Sequence, residues 1–204
     1  MGERIAQFER KSKETEIKAD LNIDGKGAAK IKTNIGLLDH MLELFVFHGC
    51  FDLSLEVQKA DLEIDIHHTN EDIGIVLGKI FKKALGDKEG INRFGSGFAP
   101  MEDTLGHVVV DISGRGYLTL DTEQGNAQAT KDQEGYSLSY LEHFMESFAH
   151  GIGATVHVNI RNRSEDLHTT LEAAFKAFGL ALDQATQINP RRQGDVPSTK
   201  GIID

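Results

Sequence analysis

A chain of 204 residues is long for one small domain, so it holds either a single larger domain or two fused units of about 100 residues each. Hydrophobic residues at 39% and charged residues at 26% give an ordinary globular balance, which excludes disorder and fibrous repeats. With 22 basic against 32 acidic side chains the formal charge is -10, which disfavours nucleic acid and anionic membranes as partners.

The charged start MGERIAQFERKSKETE lacks the apolar stretch of a signal peptide, and the lone Cys50 cannot form an intrachain disulfide. No apolar run approaches the roughly 18 residues of a membrane-spanning helix. The expected compartment is the reducing cytoplasm. Residues 15–24 and 28–33 partly alternate around Gly25 and Gly27, which predicts a hairpin. LLDHMLELFVFHG, after Gly36, has apolar residues at helical spacing and predicts a helix. LSLEV (53–57) and LEIDI (62–66) alternate as strands, and the segment from His67 to the loop GDKEG predicts a long amphipathic helix. HVVVDISG (107–114) and YLTLD (117–121) read as strands, followed by a polar loop over 122–135. A helix over 140–153, a strand over 154–160, a long helix over 168–186 and a polar tail complete the order.

The second half repeats the first, down to single residues. LDHMLELFV around His40 matches LEHFMESFA around His143, and HHTNE ending at Glu71 matches HTTLE ending at Glu172. The offsets are 143 − 40 = 103 and 172 − 71 = 101. They predict an internal duplication in an α+β fold, with units at 1–92 and 93–187 and a tail at 188–204. Each unit alone is near the lower limit for a stable core, so the halves should bury their helices against each other.

On a helix, His67 and Glu71 are i and i+4, and His68 and Glu71 are i and i+3. The two histidines diverge by about 100°, which suits two separate ions better than one chelate. In the second copy His168 and Glu172 keep the i, i+4 pair, but Thr169 stands where the first copy has His68. Adding His40 and His143 gives five histidines and two carboxylates at duplicated positions. That donor set favours borderline divalent ions, Mn(II) in six-coordinate and Zn(II) in tetrahedral geometry. Taken singly, His40 and His143 would read as structural; duplication makes them candidate ligands. His48, His107 and His150 are read as structural. A second constellation is basic: Arg93 in NRFGSG, Arg115 in SGRG, and Ser198 with Lys200 in PSTKG lie in glycine- or proline-marked loops suited to holding a phosphate.

Together these residues resemble the imidazoleglycerol-phosphate dehydratase family of histidine biosynthesis. The resemblance spans nearly the whole chain through KETEI, LLDHML, HHTNEDIGIVLG, RFGSGFAPME, DISGR, EHFMES, TVHV, EAAFKAF and VPSTKG. It implies two similar halves with helices packed between β-sheets, and a 24-subunit assembly of trimers with two Mn(II) ions at each site between neighbouring chains. By position, one metal would take His40, His68, Glu71 and His168, and the other His67, His143 and Glu172. The second site would be weakened by Thr169, where the family has histidine. Other departures are Ile66 and Glu102 in place of aspartate, Gly116 in place of proline and Asn34 in place of glycine.

The implied reaction is removal of water from imidazole glycerol phosphate to give imidazole acetol phosphate. In it, a metal-held imidazolate expels the C3 hydroxyl through a diazafulvene-like intermediate. Glu14 falls at a substrate-contacting position, and it, Glu71 or Glu172 would move the C2 proton. Arg93, Arg115, Ser198, Thr199 and Lys200 fall at phosphate-holding positions, which makes the tail part of the substrate site. A two-metal phosphate hydrolase would use the same ions and basic residues. A metal-dependent assembly protein with impaired turnover would keep only the ligands.

Overall fold

The computed structural model describes residues 4–124, 132–192 and 194–203. The first half runs β1 (Ile5–Lys11), β2 (Glu16–Asn22), β3 (Ala29–Lys32), α1 (Gly36–His48), β4 (Asp52–Lys59) and α2 (His67–Leu85). The second half repeats that order as β5 (Phe94–Met101), β6 (Thr104–Asp111), β7 (Tyr117–Gln124), α3 (Leu138–Ile152), β8 (Thr155–Arg163) and α4 (Leu167–Thr186). The sheet orders are β1-β2-β4-β3 and β5-β6-β8-β7, the same topology twice.

In each sheet the last two strands in that order are parallel, joined by the crossover helix that a parallel pair requires. This corrects the expected hairpin over 15–33: β2 and β3 do not pair, because β4 lies between them. The stretch 62–66 is also not a strand. Among the described residues its alternation has no partner strand, and Ile64 is 77% exposed. Two strands escaped the sequence reading. In β1 only Ala6 is buried, so the edge strand shows little apolar alternation. In β5, FGSGFAPM looks like a loop, yet its glycines are needed by the packing: a Cβ on Gly95 would lie 1.9 Å from the Ala181 carbonyl oxygen, and one on Gly97 2.2 Å from that of Ala177. Pro100 is tolerated because β5 is an edge strand. Of the loop expected over 122–135, residues 125–131 lie outside the described residues, and β7 continues to Gln124.

The four helices lie between the two sheets, with α2 against β1 and β2 and α4 against β5 and β6. Across the halves α2 packs on α3 and α1 on α4. Small residues set both crossings. A Cβ on Gly78 would meet the Phe148 carbonyl oxygen at 2.4 Å, and one on Gly179, 101 positions later, would meet that of Phe45 at 2.5 Å. Around these crossings Phe45 stacks on Phe178 with ring centroids 4.8 Å apart, and Phe148 meets Phe178 edge-on at 4.9 Å. One apolar core therefore joins both halves, with the helices of each buried against those of the other.

Candidate active site

The helices carry their donors in the early turns, so the duplicated architecture brings two sets of side chains together. On α4, His168 and Glu172 face the same way at i, i+4, and α1 brings His40 beside them. His40 Nε2 and His168 Nε2 lie 3.1 and 2.9 Å from the same Glu172 oxygen, Oε1, and the two rings are 5.1 Å apart. Lys176 Nζ donates to the other oxygen, Oε2. Burial pushes the Glu172 carboxyl upward, but the hydrogen bonds from Lys176, His40 and His168 outweigh it and hold the pKa at about 2. Glu172 is therefore an anion at neutral pH, as a metal ligand must be.

The related set lies on α2 and α3. His67 and His143 meet edge-on with centroids 4.6 Å apart, and His67 Nε2 is 3.6 Å from Glu71 Oε2. Among the described residues His143 Nδ1 is buried without a hydrogen-bond partner, an unsatisfied polar atom of the kind a bound ion can complete. Imidazole and carboxylate donors of these numbers fit a borderline or hard divalent cation. Two donor triplets have all their ligating atoms within 4.8 Å of one another among the described residues, His40–His168–Glu172 and Glu14–Asp61–His68.

The expected groupings are thus partly rearranged within one chain. His40 stands with His168, and His67 with His143. Glu172, however, stands with His40 and His168, and Glu71 with His67, because an i, i+4 pair on one helix turn shares a face. His68 faces Asp61, whose hydrogen bond raises the imidazole pKa above its usual value. Glu14 reaches this group from the β1–β2 turn, where Ser12 Oγ accepts from the Glu14 and Thr15 backbone N–H groups. Asp72 on α2 ties that turn down, accepting from Arg10 Nε at 2.8 Å and from Thr15 Oγ1.

Thr169 is buried and donates through Oγ1 to Asp166 Oδ2 at 3.2 Å, while Asp166 also caps α4 by accepting from the His168 N–H. The resemblance expects an imidazole at this position, and on that expectation Thr169→His should tighten metal binding by about 10–100-fold. Competition against a chelator measures this; unchanged affinity would remove position 169 from the site. Asn34 adopts φ 69°, a left-handed conformation that asparagine tolerates and that accounts for the glycine the resemblance expected.

Arg93, Arg115, Ser198, Thr199 and Lys200 line one cleft of about 160 Å³ together with Ser113, Ile202 and Ile203. That volume is below the roughly 300 Å³ at which pockets hold whole drug-sized ligands, so the cleft suits one charged end of a molecule. Arg93 joins the cleft walls: Nε and Nη2 donate to Asp111 at 2.7 and 3.2 Å, and Nη1 to the Pro197 carbonyl at 3.0 Å. The sequence reading missed Ser113, though it lies inside the DISGR motif. It also missed Lys176, although that residue stands at i+4 from Glu172 on α4, and Asp61, which carries no spacing signal.

The fold and these side chains define a duplicated α+β protein with metal-binding donor groups on its helices and a basic, anion-sized cleft. Its residues 33–182 match the family model of imidazoleglycerol-phosphate dehydratase. The imidazoleglycerol-phosphate dehydratase of Pelobacter propionicus is 47% identical over 200 residues, covering 98% of this chain and 99% of that protein. The one from Thermoanaerobacter sp. is 48% identical, covering 98% and 100%. The crystal structure of the Pyrococcus furiosus protein superposes with a TM-score of 0.79 at 37% identity, over 96% of this chain and 99% of that one. The Staphylococcus aureus structure gives 0.77 at 33%, over 91% and 99%. The chain belongs to the imidazoleglycerol-phosphate dehydratase family.

Proposed function

We propose that the chain removes water from imidazole glycerol phosphate to give imidazole acetol phosphate, a step of histidine biosynthesis in the cytoplasm. The observation that carries this reading is the convergence of His40, His168 and Glu172 on one point in a chain whose basic cleft is sized for a phosphate. When bound, Mn(II) would supply a Lewis acid that stabilises the substrate ring as imidazolate, the electron source for expelling the C3 hydroxyl. The chain's own residues do the rest. Arg115, Lys200, Ser198 and Thr199 take the phosphate, and Arg93 keeps the tail closed on the sheet. Glu172 already accepts on both oxygens, so the C2 proton falls to the more exposed Glu14 or Glu71.

Following ketone appearance and inorganic phosphate release together in the presence of Mn(II) tests this reading. Ketone without phosphate is the expected result; phosphate without ketone would make the chain a two-metal hydrolase. Arg115→Ala should weaken substrate binding by about 1.5–3 kcal/mol, the range for hydrogen bonds to a charged group, with metal content unchanged. Calorimetric titration checks it.

Glu172 stands with His40 and His168 rather than with His67 and His143, which fits sites completed by neighbouring chains, and the family resemblance implies that the assembly is a 24-mer of trimers. Chelation should then reduce the assembly to smaller oligomers, read by light scattering. Unchanged mass after verified metal removal would count against it.

A further inference from the structure

His68 is held differently from the other four histidines. His40 and His168 turn Nε2 toward Glu172, and His67 turns Nε2 toward Glu71, but His68 has its Nδ1 2.9 Å from Asp61 Oδ2. An ionised carboxylate can only accept, so this contact keeps the proton on Nδ1 and leaves the lone pair on Nε2. Asp61 is itself tied to the same helical turn: its backbone N–H donates to Thr69 Oγ1 at 2.9 Å, and Thr69 is fully buried next to His68 on α2. The Asp61 side chain is only 21% exposed. Glu14, the other acid nearby, is exposed and makes no side-chain hydrogen bond among the described residues.

The second half contains a related contact. Asp166 Oδ2 accepts from Thr169, the residue matching His68. Each half thus places a carboxylate from the segment before the long helix against the second residue of the duplicated motif. Only the first half has an imidazole for it to orient.

We propose that Asp61 is a positioning residue that fixes the Nδ1-protonated tautomer of His68, so that Nε2 is presented to a divalent cation. This rests on His68 serving as a ligand in the function proposed above. A carboxylate behind a ligating histidine sets ring orientation and raises ligand basicity, and removing one lowers metal affinity by about 10–100-fold.

The test is Mn(II) titration of the chelated full-length protein, reading free Mn(II) by electron paramagnetic resonance and bound metal by elemental analysis. Asp61→Ala should weaken one site by about 10–100-fold. His68→Ala should weaken the same site at least as much, and the double variant should be no weaker than His68→Ala alone. Asp61→Asn, whose amide oxygen still accepts from Nδ1, should recover most of the loss. Wild-type binding by Asp61→Ala, or a loss in Asp61→Asn as large as in Asp61→Ala, would overturn the role of Asp61 while leaving the ligand assignment intact. Unchanged binding by His68→Ala would overturn that assignment and the proposal with it. A measurement without substitution of Asp61 guards against misfolding: nitrogen-15 spectra of the metal-free protein at alkaline pH, assigned with His68→Ala, should show His68 protonated on Nδ1. Protonation on Nε2 would contradict the proposal.

Discussion

Glu172→Gln should empty one metal site and cut dehydration by more than the roughly 100-fold that outer partners of a metal site command. The carboxylate is the point on which His40, His168 and Lys176 converge, and its side chain is only 10% exposed. Glutamine keeps the shape and removes the charge. The Lys176 ammonium, itself 18% exposed, then loses its anionic partner. A hydrogen bond to a charged group contributes about 1.5–3 kcal/mol, so the chelated variant should be less stable than chelated wild type by about that amount. Thermal unfolding of the two chelated proteins isolates this term from metal binding. Equal stability together with full metal content would mean that Glu172 is neither a ligand nor the anchor of Lys176.

Gly78→Ala should be the most destabilising of the single-methyl additions at the helix crossings. The new Cβ would stand 2.4 Å from the Phe148 carbonyl oxygen and 2.8 Å from Gly151 Cα, both backbone atoms that cannot rotate away. Overpacking of this kind costs about 1–3 kcal/mol and sometimes more, and here the upper end is expected because two helices must separate. Gly179→Ala, at the duplicated crossing, meets Phe45 oxygen at 2.5 Å and should cost nearly as much. Gly36→Ala is the control: among the described residues, nothing beyond its chain neighbours and its own helix backbone lies within 4 Å of the added Cβ, and the residue opens α1. Urea unfolding should leave this variant near wild type. If Gly78→Ala were equally mild, the close approach of α2 and α3 would be wrong.

The four helices and the duplication were legible because helical burial is written locally, every three or four residues, as in Leu38, Met41, Leu42 and Phe45 on α1. Strand partners are not written locally. The glycines between β2 and β3 read as a hairpin turn, but β4, some 20 residues further on, supplies the strand that separates them. The glycines of β5 look like loop residues until α4 is laid across them, and the alternation of 62–66 means nothing without a neighbouring strand. The site follows the same division. His67, His168 and their glutamates could be found from i, i+4 spacing, and His40 and His143 from duplication. Asp61 and Ser113 gain their roles from what folding places beside them, whereas Lys176 sits one turn from Glu172 on α4, an i, i+4 spacing that the search for histidine donors passed over. The carboxylate groupings are set by helix faces within a chain, and resemblance alone did not state which chain would donate each side chain.

The most direct test of metal-dependent dehydration is a Mn(II) titration of the fully chelated protein that records bound metal and ketone formation in the same samples. The metal-free chain should form no ketone, and activity should then rise with occupancy in two unequal steps toward two ions per chain, the weaker step belonging to the site that lacks an imidazole at Thr169. Full ketone formation by verified metal-free protein, or saturation with metal and no change in rate, would contradict metal dependence.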